Sequence, residues 1–228
     1  MAEVLTAQFW TGLLTIIWVN IILSGDNAVV IALAARSLRG RQQKQAIIWG
    51  GSAAIVIRVI LTVFAVKLLT LPSLKIIGGL LLFWIAVKLL LLEEGDGDGI
   101  QGSEHLFSAI KTIMIADLVM SLDNVIGVAA AAKGNITLLI LGLAISIPLI
   151  VFGSTLVLKL MQRFPFIITL GAALLGYIAG ELLVTDPLVV EWMELHMPFA
   201  SIVVSICGAL AVVAAGKWLN RSPSAGKA

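Results

Sequence analysis

The sequence predicts an all-α polytopic membrane bundle, built from two inverted three-helix repeats with a seventh helix at the C-terminal end. Three observations lead to this class. The 228-residue chain is 60% hydrophobic and only 12% charged, with a mean hydropathy of +1.10, so it cannot cover itself with polar surface. Its apolar runs approach the twenty or so residues that cross a hydrocarbon core. Two stretches also repeat with their polar residues in register: "TIIWVNIILSGDNAVVIALAA" (15–35) lies over "TIMIADLVMSLDNVIGVAAAA" (112–132), matching Thr15 with Thr112, Ser24 with Ser121, Asp26 with Asp123 and Asn27 with Asn124.

The first segment, "MAEVLTAQFW", carries Glu3 and no basic n-region, so it reads as a retained helix and not as a cleaved signal peptide. Seven spans follow at about 10–35, 46–69, 72–92, 107–132, 136–160, 165–185 and 200–218. They organise the chain into a first repeat (1–92), an acidic Gly-rich linker "EEGDGDGIQGSEHL" (93–106), a second repeat (107–185), an outer loop (186–199), the seventh helix (200–219) and a tail (220–228). A second alignment supports the repeat: "LPSLKIIGGLLLFWIAVK" lies over "FPFIITLGAALLGYIAGE", pairing Pro72 with Pro165, Gly78 with Gly171 and Lys88 with Glu181. Because three helices are repeated and three is odd, the second copy must enter the membrane from the opposite side. Such inverted repeats are a transporter signature.

Basic residues set the orientation. Placing Arg36, Arg39, Arg41, Lys44, Lys88, Lys111, Lys159, Arg163, Lys217, Arg221 and Lys227 in the cytoplasm leaves only Lys67, Lys75 and Lys133 outside, with Arg58 inside a span. The N-terminus is therefore expected outside and the C-terminus inside, in the inner (plasma) membrane. The lipid bilayer is the first partner. A net charge of +2 gives no reason to expect nucleic acid, and an oligomer is compatible with the sequence but not specified by it. Trp192 and Trp218 read as interface anchors, and the single Cys207 as a small apolar residue.

Helical spacing groups the polar residues. Asp117, Ser121 and Asn124 fall at i, i+4, i+7, and Asn20, Ser24 and Asn27 repeat that spacing, so each trio lies along one helix face. Ser24-Gly25 is a place where the first helix can unwind. The second copy has Leu122 at the position of Gly25, so a matching break is not expected there. Carboxylates and side-chain amides, with no Cys or His in either motif, form an oxygen set suited to hard divalent cations: Mn²⁺ first, with Ca²⁺ or Mg²⁺ as alternatives. Asp26, Asn27, Asp117, Asp123 and Asn124 are the candidate ligands, supported by Asn20, Ser24 and Ser121. Arg58 is expected to act as a counter-charge to the acidic site. Glu181 is also a candidate supporting residue, as it could form a gate ion pair with its repeat equivalent Lys88, but both lie near helix ends, where snorkelling is the commoner reason for a charge. The outer loop "DPLVVEWMELHMP" presents Asp186, Glu191, Glu194 and His196, a set expected to attract released cations weakly.

The paired segments "SGDNAVVIAL" and "DLVMSLDNVIGVAA", each opening a three-helix half, resemble the TerC family of integral membrane proteins within the LysE transporter superfamily, and most closely its short manganese-linked members. The resemblance implies export of Mn²⁺ or a related divalent ion as transported substrate, with no resident cofactor. The family's acidic motif falls on Asp26 and Asn27 in the first half and on Asp117, Asp123 and Asn124 in the second. No P-loop supplies nucleotide energy, which leaves proton antiport as the simplest driving force. The rival readings are a membrane scaffold assisting insertion or stress complexes, and an intramembrane aspartyl protease. The latter needs Gly-x-Gly-Asp, where this sequence has Leu23 in "LSGD", and no Tyr-Asp partner exists.

Overall fold

The computed structural model describes residues 7–64, 71–92, 102–132 and 135–221, and all the regular structure among them is helical. The helices are α1 (Ala7–Leu23), α2 (Gly25–Ala35), α3 (Gly40–Val63), α4 (Leu74–Leu91), α5 (Gly102–Ala132), α6 (Ile136–Arg163), α7 (Phe166–Val184), α8 (Val190–His196) and α9 (Ala200–Arg221). Among the described residues six helices are long and apolar enough to cross a membrane, or seven spans if α1 and α2, bent by 52° at their break, are counted as one. The chain is a multi-pass membrane protein. The expected linker residues 93–101 and tail residues 222–228 lie outside the described residues, as do Lys67 and Lys133.

Three boundaries differ from the sequence reading. α3 begins at Gly40 and not near 46, and α5 takes in residues 102–106 of the expected linker. In both, a polar first turn continues the helix beyond its apolar run, because hydropathy locates the membrane-crossing part and not the helix end. The third difference is α8, a helix within the expected outer loop.

The chain forms two compact units, residues 1–70 with 97–159 and residues 71–96 with 160–228, each drawing on both halves of the sequence. The first unit contains α1, α2, α3, α5 and most of α6. Its fully buried side chains include Ile16, Leu33, Ile113 and Leu143, whereas Trp18, Ile22, Trp49 and Phe152 are exposed on helices meant for lipid. The contacts give the helix directions. Leu23 and Val19 of α1 meet Gly127, and the Leu23 carbonyl meets Asn124, so α1 and α5 run antiparallel. Along α3, Gly50, Arg58 and Leu61 meet Ile113, Asp117 and Val125 in the same order, so α3 and α5 run parallel. Gly12 faces Leu138 and Ala28 faces Gly153, so the α1–α2 span runs parallel to α6. The tight link from α2 to α3 depends on Gly40 at φ +54°, with Gln43 donating from Nε2 to the carbonyls of Ala35 (3.2 Å), the last residue of α2, and Leu38 (2.9 Å) in the link.

The second unit packs α7 against both α4 and α9. At Gly176 a Cβ would lie 2.6 Å from the Gly208 carbonyl oxygen, and at Gly180 2.5 Å from that of Val204, so the absence of side chains lets the two backbones touch. Asp186 corrects the outer-loop reading. Its side chain is fully buried and accepts hydrogen bonds from the backbone N–H groups of Ser73 (3.0 Å), Lys75 (3.0 Å), Ile76 (3.3 Å) and Leu188 (2.9 Å), so it caps the N-terminus of α4 and cannot collect cations. Burial pushes the Asp186 carboxyl up, but the four amides outweigh it and hold the group below the ordinary carboxylate value. Glu191, Glu194 and His196 remain exposed on α8, where the His196 ring stacks on Trp192.

Candidate functional site

The break between α1 and α2 is accounted for bond by bond. In a continuous helix the Leu23 carbonyl would accept from the Asn27 N–H. That N–H instead donates to Asp26 Oδ1 at 2.8 Å, and the Leu23 carbonyl accepts from Asn124 Nδ2 of α5 at 2.8 Å. The Asp-Asn pair of one copy and the Asn of the other thus satisfy two of the backbone groups that the bend frees. Asp26 is half-buried in the first turn of α2, where a helix N-terminus favours negative charge. The uninterrupted α5 has no such opening.

Arg58 of α3 is 0% exposed at the centre of the polar residues. Its Nε donates to Ser121 Oγ (3.1 Å), Nη1 to Asn20 Oδ1 (2.9 Å) and Ser24 Oγ (2.7 Å), and Nη2 to Asp117 Oδ1 (2.5 Å), an ion pair. Ser24 Oγ in turn donates to Asn20 Oδ1 (3.3 Å), and Ser121 Oγ to Asp117 Oδ2 (3.2 Å). Three helices therefore converge on one guanidinium. Its planar fork suits several fixed acceptors at once, which a lysine ammonium would match poorly. Asp117 is the sixteenth of the thirty-one residues of α5 (117 − 102 + 1 = 16), the middle of that helix.

Of the residues singled out from the sequence, Asn20, Ser24, Arg58, Asp117 and Ser121 form this network, and Asn124 holds the break. Asn27 is 2% exposed, and among the described residues neither its Oδ1 nor its Nδ2 has a hydrogen-bond partner. Asp123 lies in α5, with its side chain outside the described residues. Glu181 is exposed on α7 in the other unit, and Lys88 lies over the ring of Trp84, 5.3 Å from its centre. Among the described residues, no group of three or more His, Cys, Asp or Glu side chains gathers at a metal-sized site. The acceptor that sequence reasoning missed is the Leu23 carbonyl, which the Ser24-Gly25 break signals, since unwinding frees the carbonyls preceding it.

Residues 5–224 match the profile described as "Integral membrane protein TerC family". The chain belongs to the TerC family. Among its relatives, the "Uncharacterized membrane protein YjbE" of Bacillus subtilis (strain 168) is 43% identical over 189 residues, covering 83% of this chain and 86% of that protein. The "Uncharacterized membrane protein YceF" of the same organism is 24% identical, covering 96% and 86%. The "UPF0053 inner membrane protein YgdQ" of Escherichia coli (strain K12) is 25% identical, covering 83% and 84%. No solved structure matches the chain. The family match spans residues 5–224, so the α1–α2 break and the Arg58 network both lie within it.

Proposed function

We propose that this TerC-family chain is a secondary transporter that exports a hard divalent cation, Mn²⁺ first with Ca²⁺ or Mg²⁺ as alternatives, from the cytoplasm. Its ligands are the oxygens of Asp26, Asn27, Asp117, Asp123 and Asn124. The observation that carries this reading is the Arg58–Asp117 ion pair, set among membrane-crossing helices beside a broken span. Stability alone gives no reason for it, because replacing a buried ion pair with apolar residues is often neutral or stabilising. Ionisable groups kept inside a membrane bundle mark ion or substrate pathways. The helix directions add support: α1 antiparallel to α5, with each running parallel to the other copy's second helix, is the arrangement that two inverted repeats require.

Export against an inside-negative potential needs a driving force, and proton antiport fits a site of carboxylates that take up protons when the cation leaves. The N-terminus lies outside and the C-terminus in the cytoplasm, following the basic residues. The test is metal content in an exporter-deficient bacterium grown in excess Mn²⁺. Expression of the chain lowers cellular Mn²⁺, whereas Asp26→Asn, Asp117→Asn and Asp123→Asn do not. Unchanged Mn²⁺ on expression of the wild type refutes export, and full activity of all three variants favours the scaffold reading.

A further inference from the structure

The acceptors around Arg58 are all oxygens: one carboxylate, one amide carbonyl and two hydroxyls, drawn from α1, the α1–α2 junction and α5, at 2.5 to 3.1 Å. A hard divalent cation selects the same donor chemistry. In this state the guanidinium holds all of it. Asn27, next to Asp26 in the first turn of α2, is buried, and among the described residues nothing bonds its side-chain carbonyl oxygen or its amide. The Asn27 oxygen is thus open to a cation. The oxygens around Arg58 are already occupied by a fixed positive charge.

We infer that Arg58 is a tethered competitor for the transported cation: its guanidinium fills the Asn20, Ser24, Asp117 and Ser121 oxygens in the cation-free state, and the cation binds by displacing it from Asp117. The inference rests on the transporter reading and assigns Arg58 a role beyond holding the fold. A guanidinium does not deprotonate at physiological pH, so its charge can be moved but not removed. With the cation bound, two positive groups face a limited set of carboxylates, and Arg58 returning to Asp117 drives release. The pair therefore sets affinity low enough for turnover. The same competition disfavours monovalent ions, which gain less from Asp117 than Arg58 loses.

The experiment measures Mn²⁺ binding to the purified full-length chain in lipid nanodiscs, from the loss of the free-ion electron paramagnetic resonance signal, alongside transport in proteoliposomes. Arg58→Gln should bind Mn²⁺ at least ten-fold more tightly than wild type and transport it more slowly, since release loses its driver. Arg58→Lys, with a single charged centre that cannot engage all four oxygens, should bind with intermediate affinity, and it decides the matter if Arg58→Gln does not fold. A merely structural Arg58 would give weaker binding on substitution. Affinity equal to or below wild type in a folded Arg58 variant overturns the competitor role while wild-type binding upholds the transporter reading. Absence of Mn²⁺, Ca²⁺ and Mg²⁺ binding in the wild type and both variants overturns both.

Discussion

Arg58 and Asp117 should be energetically inseparable, and a double-mutant cycle measures by how much. Asp117→Leu leaves a guanidinium with 0% exposure and, among the described residues, no ion-pair partner, a defect worth about 3–5 kcal/mol in buried pairs. Arg58→Met leaves the carboxylate, with Ser121 Oγ still donating to it at 3.2 Å, and costs a similar ~3–5 kcal/mol. In the double variant no charge is stranded. The remaining losses are the Arg58 donations to Asn20 and Ser24, at 2.9 and 2.7 Å, and to Ser121 at 3.1 Å, together with the Ser121 donation to Asp117 at 3.2 Å. Each leaves only neutral groups behind, and at about 1 kcal/mol apiece the four come to about 4 kcal/mol. Two singles totalling at least about 6 kcal/mol against a double near 4 give a coupling of about 2 kcal/mol or more. The assay is SDS-induced unfolding in mixed micelles, followed by far-ultraviolet circular dichroism on all four proteins. A coupling below about 0.5 kcal/mol, the level of independent sites, would refute the network as drawn.

Three further outcomes follow from the same structure. Asp186 has a folded carboxyl value below its unfolded one, so its contribution is fully present above about pH 4 and is lost as pH falls through the lowered folded value; Asp186→Asn should cost about 2 kcal/mol at pH 7 and flatten the acid limb of a stability-versus-pH curve, and an unchanged acid limb would count against the cap. Gly176→Ala puts a Cβ 2.6 Å from the Gly208 carbonyl oxygen and should destabilise by about 1–3 kcal/mol, seen as lowered thermal stability; wild-type stability would show that α7 and α9 can separate freely. Gly40→Ala meets no neighbour within 4 Å, so only its φ of +54° opposes the change and the penalty should be about 1 kcal/mol; a loss above about 3 kcal/mol, beyond what one left-handed residue costs, would mean that more than backbone strain is at work.

Much of the first unit was legible because periodicity carries it. The i, i+4 spacing of Asn20 with Ser24 and of Asp117 with Ser121 put each pair on one face, and those four residues are the ones that surround Arg58. The break at Ser24-Gly25 and its absence at Leu122 followed from residue type alone. Asn124 shares the stripe spacing yet bonds the Leu23 carbonyl, since the bend presents a freed acceptor that a straight-helix projection does not contain. Asp186 was misread because its partners lie 110–113 residues away, and no local pattern encodes an amide cluster at the start of a distant helix. The Asp-Pro dipeptide was the available hint, as it favours a turn in which the carboxylate accepts from the residue two ahead, here Leu188. The α7–α9 contact was hidden in the same way. Glycines in an apolar run read equally well as lipid-facing or as points of backbone contact.

The burial of Arg58 also constrains how the protein is made. Its ion-pair partner lies 59 residues later, so at about 5–20 residues per second the ribosome supplies Asp117 only about 3–12 s after Arg58. An arginine opposes insertion of a transmembrane helix, by about 2.5 kcal/mol or more at the centre and less toward an end, and Arg58 lies five residues before the end of α3. Of its acceptors, only those of α1 and the α1–α2 junction have been synthesised by then, the Asn20 and Ser24 oxygens, both of which accept from Nη1. The first polar stripe can therefore chaperone Arg58 inside or beside the translocon until α5 arrives. A nascent chain lacking those two oxygens should stall α3 at the membrane surface, a defect of biogenesis that would appear as low expression before any transport is measured.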